Sequence, residues 1–247
     1  MTDRFKDKCV VVTGATSGIG LAGARRIAGE GGLVVATGRD AGRLASLRAE
    51  LPDRCIVLAN DAADPSEAVA LRDAVGRIGR IDGLWLNAGH AEVGDVEAVE
   101  AETFDRMMAA NVRGPVLQMA ALIPMLNDGA SVVVTSSTSA YEGSPMASVY
   151  AATKGALLSL SRCWANALGA RGIRVNALVP GPIDTDFRSF MSQDVRTAFE
   201  REVLSNLALP RIGTADEAAA VALFLLSDDA AFVTGAQYAA DGGLVMQ

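Results

Sequence analysis

The strongest restriction on this chain lies within its first thirty or so residues. Four apolar residues, Cys9-Val10-Val11-Val12, run directly into Thr13-Gly14-Ala15-Thr16-Ser17-Gly18-Ile19-Gly20, and a helical stretch, LAGARRIAGEGG, follows at once. A β-rich run, a glycine-bearing loop and a helix in immediate succession make the opening of a βαβ unit. Gly14, Gly18 and Gly20 permit a tight turn, a close approach of backbone N–H groups to a pyrophosphate, and contact of helix against strand; the helix N-terminus adds a favourable field for negative charge. With the strand before it and the helix after it, the loop points to a dinucleotide site.

The same rhythm runs down the chain. Short Val-rich runs at 9–13, 33–37, 55–59, 83–86, 131–135, 174–178 and 237–240 are separated by stretches with apolar residues at helical spacing. Most are continuous rather than alternating, as strands are when helices cover both faces of a parallel sheet. We therefore expect an α/β, Rossmann-type doubly wound parallel sheet of about seven strands, forming a single domain over residues 1–247. Residues 184–211 interrupt the rhythm with a more polar, weakly amphipathic excursion carrying Phe187, Phe190, Met191, Phe199 and Leu204. A long excursion in a domain of this kind reads as a substrate lid.

Composition removes several classes of function. At 50% hydrophobic, 21% charged and a formal charge of −7, the 247 residues describe a globular domain whose surface repels nucleic acid and acidic membranes. Cys9, Cys55 and Cys163 are too few and too scattered for a disulfide framework or a metal site, and are read as thiols in a reducing compartment. The segment MTDRFKDKCVVVTG has no apolar run of bilayer length and no leader-type core, so neither export nor a membrane span is expected and a cytoplasmic location is. The single histidine, His90, rules out two-histidine zinc motifs, and no metal is expected in the chemistry.

The glycine spacing, Gly-x-x-x-Gly-x-Gly, resembles that of the short-chain dehydrogenase/reductase family, and the resemblance extends over essentially the whole chain. Asn87-Ala88-Gly89 match the family's Asn-Ala-Gly element and Asn111 its helical Asn. Ser137, Tyr150 and Lys154 match its Ser and Tyr-x-x-x-Lys, Pro180 to Thr185 its Pro-Gly motif, and Asp241 to Gly243 its C-terminal element. The resemblance implies a nicotinamide cofactor held by Gly14, Thr16, Ser17, Gly18, Ile19 and Gly20. Further contacts would come from Asp61 and Ala62 near the adenine, from Asn87, Ala88 and Gly89 beneath the cofactor, and from Tyr150 and Lys154. Pro180, Gly181, the Ile183 backbone and the Thr185 hydroxyl would complete the set. The family's acidic residue at the tip of the second strand falls on Gly38, and Arg39 follows, which favours pairing with a 2′-phosphate and hence NADP(H). Asp40, about twenty residues past the glycines, keeps NAD(H) open.

Tyr150 and Lys154 sit one above the other on a helix face. Of three lysines, Lys154 is the only one in the body of a chain that otherwise uses arginine, so a compact ammonium is wanted there. A tyrosine serving as general acid/base near neutrality needs its pKa lowered by about three units, or about 4 kcal/mol, which one positive charge at ~4 Å supplies at an effective dielectric of ~20. Ser137, at the exit of the strand SVVVTSS, would hold the substrate oxygen, with Ser136 as its competitor. Pro115 has no N–H to return to the carbonyl of Asn111, which we expect to be free to hold a water. Only the family spacing selects Ser137, and the resemblance implies Asn111, Ser137, Tyr150 and Lys154 as the catalytic set, with Ser137, Ser139, His90, Tyr150 and Phe187 as expected substrate contacts. For His90 a solvated loop position is the alternative.

The expected reaction is hydride transfer between nicotinamide and a ketone or secondary alcohol of moderate size. A 3-oxoacyl-[acyl-carrier-protein] reductase is the rival within the class, and its acidic partner fits a −7 chain less well. A non-catalytic cofactor-binding regulator and a nucleotide-sugar epimerase or dehydratase are more distant alternatives. The last strand and the helix 149–168 resemble subunit-pairing surfaces, so a homo-oligomer is expected, a tetramer or a dimer.

Overall fold

The computed structural model describes residues 3–186 and 203–246. The strands are β1 (Cys9–Val12), β2 (Leu33–Gly38), β3 (Ile56–Ala59), β4 (Ile81–Leu86), β5 (Leu126–Thr135), β6 (Arg174–Pro180), β7 (Ile183–Asp184), β8 (Gly213–Thr214) and β9 (Gln237–Ala240). The helices are α1 (Gly18–Gly29), α2 (Ala41–Glu50), α3 (Pro65–Gly76), α4 (Ala101–Met108), α5 (Gly114–Leu122), α6 (Ser139–Glu142), α7 (Ser148–Leu168) and α8 (Ala215–Leu226). Seven strands pair in parallel in the order β3-β2-β1-β4-β5-β6-β9, and β7 pairs with β8 separately. All seven expected strands are present.

Alternation along β1 distributes its side chains to two cores. Val10 and Val12 pack with Ala24 and Ile27 of α1, Leu44 of α2 and Leu223 of α8. Val11 packs on the opposite face with Leu71 of α3, Met119 of α5 and Leu157 of α7. Both faces of the sheet are therefore buried, which is why the strands read as unbroken apolar runs. Cys9 lies in this second core and burial raises its thiol to about 11, the state of an inert, protonated cysteine. No helix among the described residues is long and apolar enough to cross a membrane.

Local sequence fixes the helix starts. Asp40 caps α2 by accepting the Arg43 N–H, and Asp64 caps α3 with Pro65 in its first turn. Thr214 and Glu217 form a reciprocal capping box on α8. The helix expected to run through Asn111 and Pro115 is divided instead. Between α4 and α5 lies a π turn, Ala109–Arg113, in which the Gly114 N–H reaches back to the Ala109 carbonyl. The extra residue in the turn places Pro115 in the first turn of α5, where its missing N–H costs least.

Of the excursion 184–211, the two ends are pinned together by the β7–β8 pair, which registers Ile183 against Gly213 and Asp184 against Thr214. Phe187, Phe190, Met191 and Phe199 lie outside the described residues.

Candidate active site

The carboxyl ends of β1, β2, β4, β5 and β6 open on one cleft of ≈ 680 Å³. One half is built from the glycine loop. Gly14 has φ +63, and a Cβ there would come within 2.8 Å of Ala88 Cα; Gly18 has φ +52 and lies against Thr185. Gly20 does not line the cleft: a side chain there would strike the Gly14 carbonyl and Asn87 Nδ2, so this glycine seats helix against strand. Thr16, Ser17, Gly18 and Ile19 line the cleft with Asp61 and Ala62.

A hydrogen-bonded chain fixes the floor. Trp85 Nε1 donates to Thr135 Oγ1 at 2.9 Å, Thr135 Oγ1 donates to Asn87 Oδ1 at 3.0 Å, and Asn87 Nδ2 donates to the Thr13 and Gly14 carbonyls, each at 3.2 Å. The Asn87 and Ala88 N–H groups donate to Thr13 Oγ1. The Asn-Ala-Gly element is thereby locked to the glycine loop, and with Gly89 it lines the cleft. A Cβ on Gly89 would stand 3.3 Å from Lys154 Nζ, so glycine here keeps the space above the lysine clear. On the far wall Gly181 abuts the backbone of Asp241, and Asp241 in turn accepts the N–H groups of Gly243 and Val245. Pro180, Gly181, Ile183 and Thr185 all face the cleft.

At the end of the cleft beside β2, a Cβ on Gly38 would overlap the Thr16 side chain, so Thr16 fills the place an acidic side chain would take. Asp40 does not line the cleft; its carboxylate is occupied in capping α2. Arg39 is 64% exposed and stands 3.8 Å from Asp61, a loose pairing that leaves its guanidinium accessible. Asp61 also accepts the Ala63 N–H at 3.0 Å, holding its own turn. Arg43 lines the same end and pairs with Asp186 at 3.2 Å. Nothing in the sequence singled out Arg43, whose helical phase is set by the Asp40 cap.

The other half of the cleft holds the titratable groups. Tyr150 is 9% exposed and Lys154 3%. Lys154 Nζ lies 5.6 Å from the centre of the Tyr150 ring and donates to the Thr135 carbonyl at 3.0 Å. Burial pushes the Tyr150 phenol well above its ordinary value; its hydrogen bond with Ser137 pulls it down and the Glu142 carboxylate adds to the rise. Burial lowers the Lys154 ammonium to about 8. The lysine alone therefore does not bring the phenol toward neutrality, contrary to the expectation from charge spacing. Desolvation of the phenolate is the largest influence on this phenol, and the ammonium, itself desolvated, does not offset it.

Ser137 and Ser136 separate by their partners. Ser136 Oγ donates to the Lys154 carbonyl at 2.8 Å and so anchors α7, whereas Ser137 Oγ lies by the phenol and within 3.3 Å of Ser139 Oγ. Asn111 is fully buried and does not line the cleft. Its side chain accepts the His90 N–H and donates to the His90 carbonyl, both at 2.7 Å, and donates to Thr153 Oγ1, which donates to the Tyr150 carbonyl. It ties the loop after β4 to the helix carrying Tyr150 and Lys154. His90 lines the cleft with Nε2 2.8 Å from Glu92 Oε1, and Arg106 holds the same carboxylate through both oxygens. These hydrogen bonds, from Arg106 and then His90, keep Glu92 down at about 2.

With this geometry, comparison with known proteins is direct. Residues 14–245 match the family described as Enoyl-(Acyl carrier protein) reductase. The chain is 36% identical over 252 residues to 2-(S)-hydroxypropyl-CoM dehydrogenase 3 of Xanthobacter autotrophicus, with 99% of each chain covered. It is 34% identical to meso-2,3-butanediol dehydrogenase of Serratia marcescens, over 97% of this chain and 95% of that one. A blue fluorescent protein from a metagenomic library, solved in complex with NADPH, superposes with a TM-score of 0.90 at 32% identity, covering 98% of this chain and 100% of that one. The chain belongs to the short-chain dehydrogenase/reductase family. It is an NAD(P)-dependent oxidoreductase acting on CH–OH groups.

Proposed function

We propose that the protein interconverts a ketone and a secondary alcohol of moderate size, with NADP(H) preferred over NAD(H). The observation that carries the reading is the meeting of Tyr150 and Ser137, above Lys154, at the inner end of a cleft whose other half is the glycine loop. A bound nicotinamide would supply or accept the hydride. Ser137 Oγ and the Tyr150 hydroxyl would hold the substrate oxygen; in reduction Tyr150 donates its proton to that oxygen, and in oxidation it takes the proton back. Burial keeps the phenol protonated in the protein as it stands, which suits the donor role. Lys154 would orient from below, and Asn111 acts on the site as a positioning residue through His90 and α7. Its carbonyl, four residues before Pro115, remains our candidate for holding a relay water.

The cofactor preference is supported by Thr16 occupying the place of an acidic side chain at Gly38, by Asp40 being engaged as a cap, and by Arg39 and Arg43 at the same end of the cleft. We read Asp61 and Ala62 as the adenine contacts, Asn87 to Gly89 as the floor under the cofactor, and Pro180 to Thr185 as its far wall. His90 and Ser139 are read as substrate contacts. Residues 184–211 are read as a cover over the substrate within one domain, supported by the pinned β7–β8 ends and by Val203 reaching the cleft. We further propose a cytoplasmic homo-oligomer, a tetramer before a dimer.

The test is turnover followed by nicotinamide absorbance, with NADPH and NADH in parallel, across alkyl, aryl and sugar ketones and an acetoacetyl thioester. Turnover of simple ketones with NADPH supports the reading. A strong preference for the thioester moves the protein to acyl-carrier chemistry, and cofactor binding with no turnover of any carbonyl ends the enzymatic reading.

A further inference from the structure

The substrate half of the cleft contains a carboxylate that none of the catalytic roles uses. Glu142 closes α6, a single turn followed by Gly143 in the left-handed region at φ 66. The residue before it, Tyr141, is turned away from the cleft: it packs against the core and its hydroxyl donates to Gln237 Oε1 of β9. This anchor fixes α6 on the sheet edge, and Glu142 lines the cleft together with Ser139 and Ser144.

The other acidic groups around the site each have a cationic neighbour. Asp61 faces Arg39, Asp186 is paired with Arg43, and Glu92, behind His90, is held by Arg106. Glu142 has no hydrogen bond or ion pair to its side chain among the described residues. Its charge is nevertheless felt at Tyr150, which places the carboxylate within electrostatic reach of the reacting oxygen. The remaining wall of this half, Ala91, Val93, Met146 and Val203, is apolar, and Glu142 stands exposed at its rim. A carboxylate in such a setting attracts a cation or hydrogen-bond donor and repels an anion.

We propose that Glu142 is a specificity-determining residue, selecting ketones and alcohols whose end remote from the reacting carbon bears a cation or a hydroxyl donor, and rejecting those bearing an anion. The proposal rests on the ketone/alcohol reading of the same site. Its geometry is that of a substrate oxygen at Ser137 and Tyr150, an apolar body along Val93 and Met146, and a polar end at Glu142, Ser139 and Ser144.

The experiment uses three ketones of matched length, ending in an alkyl, a trimethylammonium or a carboxylate group, reduced with NADPH. For the wild-type chain we expect kcat/KM in the order cation, neutral, anion, expressed chiefly in KM. In Glu142→Gln the cation-to-anion ratio should fall on the order of tenfold, as removal of one partly screened charge requires, while Glu142→Asp should keep the order. NADPH fluorescence titration reports whether each variant is folded. The wild-type protein supplies a check without mutation: its ratio should shrink as ionic strength rises from ~0.05 M to ~1 M, because exposed charges are screened over a few ångströms at the upper end. Equal ratios in wild type and Glu142→Gln, or a ratio indifferent to salt, overturn the assignment of Glu142 and leave the ketoreductase reading intact. Failure of the wild-type chain to reduce any of the three, with NADPH bound, removes both.

Discussion

Burial displaces Tyr150 and Lys154 in opposite senses, because it disfavours whichever form of each group is charged. For Lys154 the folded value, about 8, lies below the ordinary 10.5, so between these values the unfolded chain binds more protons than the folded one. Lys154 should therefore make the stability of the cofactor-free protein rise with pH from about 8 upward, with the full cost of the buried ammonium present below 8. Cys9 is raised from 9.0 to about 11 and Tyr150 is raised from 10.0, and each opposes this only above its ordinary value, which leaves pH 8 to 9 as the clean window. Thermal unfolding across that window should show the upward slope in the wild type and lose it in Lys154→Met; a slope that survives the substitution assigns it elsewhere. Tyr150→Phe should reduce kcat by about 10²–10⁴-fold, the usual span for loss of a general acid, with NADPH binding retained in a fluorescence titration. These residues were legible in the sequence because chemistry restricts their type and the helix restricts their spacing. Their protonation was not, since desolvation depends on atoms from β4, β5 and α7 together. Arg43 and Glu142 escaped for a different reason: each is an ordinary charged residue whose direction is set by a neighbour, Asp40 capping one helix and Tyr141 anchoring the other.

At the scale of elements, the same capping decides between two cofactor readings. If Asp40 serves α2 and not a ribose, Asp40→Ala should cost about 1 kcal/mol of stability, the usual penalty for losing an N-cap, and leave the NADPH-to-NADH preference where it was. A shift of that preference, measured as the ratio of kcat/KM for the two cofactors, would return Asp40 to the ribose. Arg39→Ala should do the reverse, weakening NADPH about tenfold against NADH with little change in melting temperature, since its pairing among the described residues is a loose surface one. Strand positions were readable wherever Val-rich runs are buried on both faces, and they failed at polar ends. β4 begins at Ile81 and β5 at Leu126, both earlier than the apolar runs suggested. There Asp82 accepts the Cys9 N–H and an Asn127 amide hydrogen, so polar residues replace apolar burial as the reason for pairing. The division of the helix at Ala109–Arg113 was foreshadowed by Pro115. That Asn111 would use its side chain to clamp His90 was not, because the partner is backbone and carries no residue signature.

For the whole molecule, the parallel sheet follows from the alternation of strands and helices, and of its two edges β9 is the one to be explained. β9 pairs with β6 on one side and with no strand on the other among the described residues. Near it Phe232 is fully exposed and Met246 largely so. An open apolar edge invites indiscriminate pairing, and a two-fold contact with a second copy satisfies it with one self-complementary surface. In such a contact each residue counts twice. Burying a phenylalanine is worth about 1.5–3 kcal/mol, so Phe232→Glu should remove about 3–6 kcal/mol across the pair and weaken association by about two to four orders of magnitude. Light scattering on a size-exclusion column is the measurement. The wild type is expected to elute at four chain masses and Phe232→Glu at two or one, with NADPH still bound. A wild-type protein that runs as a single chain at micromolar concentration would mean that β9 and Phe232 face solvent, and that the cleft is complete within one subunit.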